Sequence, residues 1–268
     1  MLEIFSYGFM QRALLTGAVL SIFSGIISVF IVLRRVSFLG SGISHAAFGG
    51  VSIGFLLGIN PLLTALVYSI IVAFGIEQIS SKGRLAEDTA IGIFFSSSMA
   101  LGIVLVGLSA SYNVDIFGYL FGSILAITTG DALIAVCTTL FLMGVIFVIM
   151  KELYFITFNE ELAFVGGISV RLIKSIFLLS MAIAIVVGIK LVGIILISAL
   201  LVIPGAAAQL LTKRFYRMVF ISCLISLFST ISGIIVSYLF NLAPGGTIVI
   251  LLSTVFFVAF FSKTLNNA

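Results

Sequence analysis

Residues 34–61 read RRVSFLGSGISHAAFGGVSIGFLLGINP, and the rest of the chain is best understood from this stretch. Two arginines open it, an Asn-Pro pair closes it, and the only ionisable side chain between Arg35 and Asn60 is His45, the single histidine of the protein. In a helix that rises about 1.5 Å per residue, His45 would lie about 15 Å from Arg35 and about 22 Å from Asn60, near the middle of a bilayer. An imidazole at that depth is a candidate functional group.

The same segment carries a small residue at every fourth position: Ala46, Gly50, Gly54 and Gly58. This spacing allows a helix to approach a neighbouring backbone closely. Ser41 lies four residues before His45 and therefore shares its helical face. We expect this helix to lie inside a bundle, with the Ser41 and His45 side chains turned toward the bundle interior or a transport path.

The composition identifies the class of protein. The 268-residue chain is 62% hydrophobic and 8% charged, so it has too few charges to cover a soluble globule. Apolar runs of about 20 residues indicate membrane-spanning helices rather than barrel strands, whose pattern alternates at every second residue. The sequence predicts an all-α polytopic membrane protein, surrounded by lipid and folded as one transmembrane domain over residues 1–268. The net charge of +4 does not indicate a nucleic-acid partner, because the basic residues crowd on one membrane side.

About nine spanning helices are predicted, at 13–33, 42–59, 62–80, 89–109, 130–150, 170–188, 192–211, 216–240 and 246–262. All basic residues except Arg12 and Lys190 then lie on one side of the membrane. The positive-inside rule therefore predicts an extracytoplasmic N-terminus and a cytoplasmic C-terminus. A shorter apolar segment at 115–127 is interpreted as a re-entrant or outer helix, and a tenth span is the alternative.

The longest polar interruption, KELYFITFNEELAFVGGISVRLIK at 151–174, predicts a short helix on the cytoplasmic face. Asn159 suits an N-cap followed by the acidic residues Glu160 and Glu161, and Gly166-Gly167 would end the helix. Such a helix can seat in the groove of a partner protein. From the loop alone, a connecting helix without a partner is the stronger interpretation.

Two absences limit the chemistry. The sequence contains no G-x-x-x-x-G-K-[ST] phosphate loop, so we do not expect the chain to hydrolyse a nucleotide by itself. The predicted spans also lack the pairs of mid-membrane acids that proton-coupled or sodium-coupled carriers use. Glu77 falls inside a span but near its cytoplasmic end, where its carboxylate is expected to reach solvent.

The motif RRVSFLGSGISHAAFGG resembles the region around the second helix of the permease subunits of metal-ion ABC importers, the zinc and manganese uptake family. Further similar stretches follow in the same order along the chain: QRALLTGAVLSIFSGIISVFIVL at 11–33, YLFGSIL at 119–125, FNEELAFVGGIS at 158–169, VGIILISALLVIPGAAAQLL at 192–211 and LAPGGTIVILL at 242–252. The resemblance covers essentially the whole chain.

This resemblance implies a permease subunit, not itself an enzyme, of an ATP-driven importer of zinc or manganese in the prokaryotic cytoplasmic membrane. The implied partners are a second copy of the chain, two copies of a separate cytoplasmic ATPase, and an extracytoplasmic metal-binding protein. The metal ion is the substrate, and no permanently bound cofactor is implied. The loop at 152–168 becomes the coupling helix seated on the ATPase, with the coupling residues Asn159, Glu160, Glu161, Ala163 and Gly167. Ser41 and His45 become the transport-path residues, with His45 as the metal ligand.

One departure from the family pattern concerns Ser41, because the family usually has an aspartate four residues before the histidine. A neutral hydroxyl offsets little of the cost of stripping water from a cation. Three accounts remain: a site that is weak by design, a site completed by the second copy's histidine, or a substrate that is not a bare metal ion. A histidine that only hydrogen-bonds to a neighbouring helix is the structural alternative for His45. The rival functions are a stand-alone secondary transporter or channel, and an ABC permease for a chelated or non-metal substrate.

Overall fold

The computed structural model describes residues 6–83, 85–108, 122 and 127–267, and these residues form helices joined by short turns. In chain order the helices are α1 (Gly8–Leu33), α2 (Leu39–Leu57), α3 (Pro61–Gly83), α4 (Glu87–Leu108), α5 (Thr129–Val148), α6 (Met150–Phe158), α7 (Glu160–Val165), α8 (Val170–Leu200), α9 (Ile203–Leu211), α10 (Phe215–Phe240) and α11 (Pro244–Asn267). The predicted outer helix at 115–127 lies outside the described residues, apart from Gly122 and Ile127.

Within the described part of the chain, eight helical stretches are long and apolar enough to cross a membrane, which confirms the all-α polytopic class. The difference from the nine predicted spans arises in Val170–Leu211, a stretch of 42 residues that contains two of them, 170–188 and 192–211. A straight helix of that length would measure about 63 Å, roughly twice the hydrocarbon thickness of a bilayer. The stretch must therefore bend or fold back.

Gly193 is the point at which this stretch folds back. Its φ of 81° and ψ of 164° interrupt α8 in a conformation that is open essentially to glycine alone. A Cβ built on Gly188 would lie 2.8 Å from Cδ1 of Ile197, nine residues later. Nine residues of straight helix would separate these positions by about 13 Å. The two predicted spans are therefore two arms that pack against each other around Gly193.

The two ends of the bundle differ in charge. At one end, which we call the basic end, Arg34 lies 3.1 Å from Glu87 at the start of α4, and the Tyr154 and Phe215 rings are 4.7 Å apart. At the opposite end, Nε of Arg12 donates to the carbonyl of Ile127 at 2.9 Å, and Lys190 pairs with Asp131. The basic end therefore joins the turns that the sequence analysis assigned to the cytoplasm.

Helix α2 lies at the centre of the bundle. In its apolar window 72% of the residues are buried, against 17% for α4. The predicted small-residue face explains the burial: a Cβ on Gly50 would lie 2.6 Å from Cα of Ala65, and a Cβ on Gly54 would lie 2.7 Å from Cα of Pro61. Backbone therefore packs directly on backbone between α2 and α3, as the spacing predicted.

Serine hydroxyl groups form hydrogen bonds between α1 and the helices α9 and α10. The Ser28 hydroxyl accepts a hydrogen bond from the backbone N–H of Gly205 in α9 at 2.8 Å, and the Ser222 hydroxyl of α10 donates to the carbonyl of Gly25 at 2.7 Å. Both bonds are buried, so they satisfy polar atoms that lipid could not. They join α1 to both α9 and α10.

Candidate functional site

The turn before α2 decides where His45 lies along the membrane normal. Residues 34–38 form turns rather than helix, with Arg35 at φ 59°, and α2 begins only at Leu39. His45 is therefore about 9 Å from the start of α2 and about 18 Å from its last residue, Leu57. The histidine is closer to the basic end than the sequence spacing suggested, because that estimate treated Arg35 as helical.

The ring of His45 lies in apolar surroundings and keeps a partly exposed surface. The Phe95 ring of α4 meets it edge to face, with centroids 4.6 Å apart and planes 83° apart. Nδ1 of His45 is buried and has no hydrogen-bond partner among the described residues. A buried polar atom without a partner is costly, and such atoms call for an explanation. The structural alternative, a histidine hydrogen-bonded to a neighbouring helix, is not found within the described part of the chain.

Ser41 lies one turn closer to the basic end on the same face of α2 and is half-buried, like His45. The neighbouring Ser44 instead turns inward, and its hydroxyl donates to the carbonyl of Gly40 at 2.7 Å. Among the described residues there is no group of three or more His, Cys, Asp or Glu side chains that could hold a metal ion. Transition-metal sites usually have four or more ligands, which is more than His45 and Ser41 offer together.

Helix α4 contacts His45 through Phe95, and this neighbour was not predicted from the sequence. Its residues around Phe95 are small and exposed: Gly92, Ser96, Ser97 and Ala100. A Cβ on Gly92 would meet no described atom within 4 Å. The signal was present in the sequence as FFSSSMA at 94–100, because three consecutive serines are unusual in a membrane-spanning helix that faces lipid.

The predicted short helix at the basic end is present as α7, and its predicted boundaries are confirmed. Oδ1 of Asn159 accepts a hydrogen bond from the backbone N–H of Leu162 at 2.9 Å, which is an N-cap. After Gly166, the chain leaves the helix at Gly167 with a φ of 83°, a conformation that favours glycine. The helix therefore begins and ends where local sequence chemistry indicates.

The five predicted coupling residues do not share one outward face of α7. Glu160 and Glu161 are both exposed, but Glu160 also lies 2.5 Å from Lys174 of the same chain. Ala163 is 4% exposed, so its side chain faces the interior of this protein. The apolar side chains of α7 instead project outward, with exposures between 69% and 83%: Leu162, Phe164 and Val165. Sequence reasoning had chosen the acidic residues and overlooked this apolar surface.

A cleft of about 750 Å³ opens at the basic end between α3, α4, α7 and the start of α8. Charged side chains of both signs line it, including Glu77, Glu87, Glu160, Arg171 and Lys174. Glu77 was expected to reach solvent, but it is 7% exposed. Its Oε2 accepts a hydrogen bond from Ser175 at 2.7 Å, and its Oε1 lies 3.4 Å from Nε of Arg171 without hydrogen-bond geometry. Two side chains of α8 therefore contact the Glu77 carboxylate, which stays buried instead of reaching solvent.

Relatives of known sequence match almost the whole chain. The manganese transport system membrane protein MntC of Listeria innocua is 36% identical over 254 residues, which cover 95% of this chain and 90% of that protein. The high-affinity zinc uptake system membrane protein ZnuB of Haemophilus influenzae is 33% identical over 251 residues, covering 94% and 96%.

A solved structure and a family description agree with these relatives. A chain of PsaBC from Streptococcus pneumoniae, in complex with a Fab, superposes with a TM-score of 0.84 at 33% identity, over 97% of this chain and 94% of that one. The family described as the ABC 3 transport family matches residues 6–263. This match covers nearly every residue, from α1 to the last turns of α11. The chain therefore belongs to the ABC 3 transport family.

Proposed function

We propose that this chain is the permease subunit of an ATP-driven importer of a divalent transition metal ion, manganese or zinc, and that His45 binds the ion during its passage. The observation that carries the assignment of His45 is its half-buried ring in the central helix, whose buried Nδ1 has no partner among the described residues. The printed names of MntC and ZnuB support manganese and zinc as the substrates.

The chemistry of the site fits a transient ligand better than a storage site. Imidazole nitrogen is a good ligand for zinc and other first-row ions. Ser41 adds no charge beside it, so the attraction for a cation at this point is modest. A conduit must release what it binds, and a shallow well lowers the barrier to exit. The contact with Phe95 restricts the orientations of the His45 ring and so aims the nitrogen atoms.

A second copy of the chain would complete the site. The exposed small residues of α4 beside Phe95 are typical of surfaces where membrane helices pack against each other. Two copies that meet along α4 would bring two His45 rings toward one path. This arrangement favours the second of the three accounts of Ser41, in which the partner copy supplies the missing ligands.

The energy source is proposed to be a separate ATPase at the basic end. This chain has no phosphate loop, and the apolar side chains Leu162, Phe164 and Val165 project from α7 where a groove in the ATPase could receive them. The basic end then faces the cytoplasm, as the positive-inside rule requires. The opposite end would receive the ion from an extracytoplasmic metal-binding protein. The chain would act as one transmembrane domain of a prokaryotic cytoplasmic membrane.

The test is metal uptake by proteoliposomes that contain this chain and its partner ATPase, with manganese or zinc ions supplied outside and ATP inside. We expect ATP-dependent uptake by the wild type and a loss of at least roughly tenfold in His45→Ala, because the path loses its one imidazole. Ser44→Ala is the matched control: it lies one residue away, faces inward and should leave uptake unchanged.

Three outcomes would overturn the proposal. Wild-type uptake that persists without ATP would favour a stand-alone carrier or channel. Uptake of a metal chelate but not of the free ion would favour a chelate permease. Retention of wild-type uptake by His45→Ala, with normal assembly on the ATPase, would remove His45 from the path.

A further inference from the structure

The first two turns of α8 hold two other helices at the basic end. Lys174 binds Glu160, the first residue of α7, at 2.5 Å. One turn earlier Arg171 reaches Glu77 of α3 at 3.4 Å, and Ser175 donates to the same carboxylate at 2.7 Å. We call these five residues the basic-end relay. They connect the exposed coupling helix to a helix of the central bundle.

Each ion pair of the relay joins one shielded side chain to one exposed side chain. The side chains of Glu77 and Lys174 are 6% and 18% exposed, whereas those of Arg171 and Glu160 are 58% and 47% exposed. The charges of Glu77 and Lys174 are screened less by solvent and salt than fully exposed charges are. Leaving either of them without its partner costs free energy, which favours joint movement of the two groups of each pair.

The relay is connected to His45 through α3, which packs against the His45 helix α2. Glu77 lies toward the basic end of α3, whereas Ala65 and Pro61 near the other end of the same helix pack directly on the glycines of α2. A helix transmits displacement along its axis as a nearly rigid rod. Because α3 packs directly on the backbone of α2, we expect a shift of α3 to displace α2, and with it the His45 ring.

Open space lies beside the relay. The cleft of about 750 Å³ is lined by residues from α3, α4, α7 and α8, so these four elements are not closely packed throughout this region. Side-chain bridges across a cleft can transmit movement while the space accommodates it. At the opposite end of α8, Lys190 and Asp131 form a comparable ion pair that joins α8 to α5 instead.

We propose that Glu160, Lys174, Arg171 and Glu77 are positioning residues that transmit movement of the coupling helix α7 through the start of α8 to α3 and the His45 helix. This inference rests on the proposed function, because it needs an ATPase that moves α7. Glu160 then acts within the chain, through its ion pair with Lys174, rather than as a docking contact, which separates its role from that of Glu161.

The test compares Glu160→Lys, Lys174→Glu and the double exchange in the reconstituted permease and ATPase complex. The measured quantity is the number of manganese ions taken up per ATP hydrolysed. Each single change should lower this ratio by roughly threefold and the double exchange should restore it, as expected for two groups that act as a unit. Lys174→Gln removes the charge without reversing it, so this variant provides the test if the charge-reversed variants fail to fold. Glu77→Gln should lower the ratio as well.

The matched control is the exchange of Lys190 and Asp131 at the other end of α8, which should leave the ratio unchanged. Single variants with the wild-type ratio, or a double exchange that fails to restore it, would overturn the relay. Loss of the ATPase during co-purification of Glu160→Lys would also overturn it, by making Glu160 a docking residue. A wild-type complex without ATP-driven uptake would instead refute the proposed function, and the relay with it.

Discussion

The two residues of the proposed transport path, His45 and Ser41, were visible in the sequence because each stands out from its neighbours. A single histidine within an apolar run is a local signal, and the four-residue spacing to Ser41 follows from helix geometry alone. Phe95 was not visible, since its contact with the ring depends on how α4 packs against α2. Residue identity thus pointed to the proposed ligand, whereas its surroundings could be known only from the fold.

Ser41→Asp tests whether the missing carboxylate sets the affinity of the path. An aspartate one turn from His45 adds a charge that attracts a divalent cation, so we expect manganese to bind roughly tenfold more tightly. Uptake should slow, because a deeper well raises the barrier to release. Calorimetric titration and uptake assays measure the two effects. The control is Ser41→Asn, which has the shape of aspartate without its charge and should change neither the affinity nor the uptake rate. An unchanged affinity in Ser41→Asp would show that Ser41 does not face the ion.

At the scale of the elements, the glycine face of α2 makes the clearest stability prediction. Gly50→Ala would place a Cβ 2.6 Å from Cα of Ala65, and neither backbone can yield easily. We expect a loss of about 1–3 kcal/mol in the free energy of unfolding, the usual cost of overpacking a core. Thermal unfolding in detergent measures it. Gly144→Ala in α5 is the control, since a Cβ there meets nothing within 4 Å, and it should unfold at or slightly above the wild-type temperature.

The elements also show how far sequence reasoning reaches. The N-cap at Asn159 and the end of α7 before Gly166-Gly167 were predictable, because both depend on hydrogen bonds and backbone angles within a few residues. The inward orientation of Ala163 was not predictable, since it depends on how α7 packs against the bundle. The ion pair of Glu77 with Arg171 joins residues far apart in sequence, so no local sequence pattern predicts it. Gly193 falls in this group too, as one glycine among 26.

At the scale of the whole molecule, the separation of charge between the two ends predicts the orientation in the membrane. After Cys137 and Cys223 are replaced by alanine, a cysteine at Glu161 should react only with reagents on the cytoplasmic side. A cysteine at Leu242, exposed at the opposite end, should react only from outside. Labelling of whole cells and inverted vesicles with a membrane-impermeant maleimide measures both. Reaction of the Glu161 position from outside would reverse the proposed topology.

The central claim, that the ion contacts His45 on its way through the bundle, has one direct measurement. Because His45 is the only histidine in the chain, any histidine nitrogen coupled to bound manganese must belong to it in this copy or its partner. The permease is prepared without a histidine tag, with histidine labelled by the heavy nitrogen isotope, and loaded with manganese in nanodiscs. Electron spin echo modulation should then show a nitrogen coupling that changes with the isotope. A spectrum that is the same with labelled and unlabelled histidine would contradict the account.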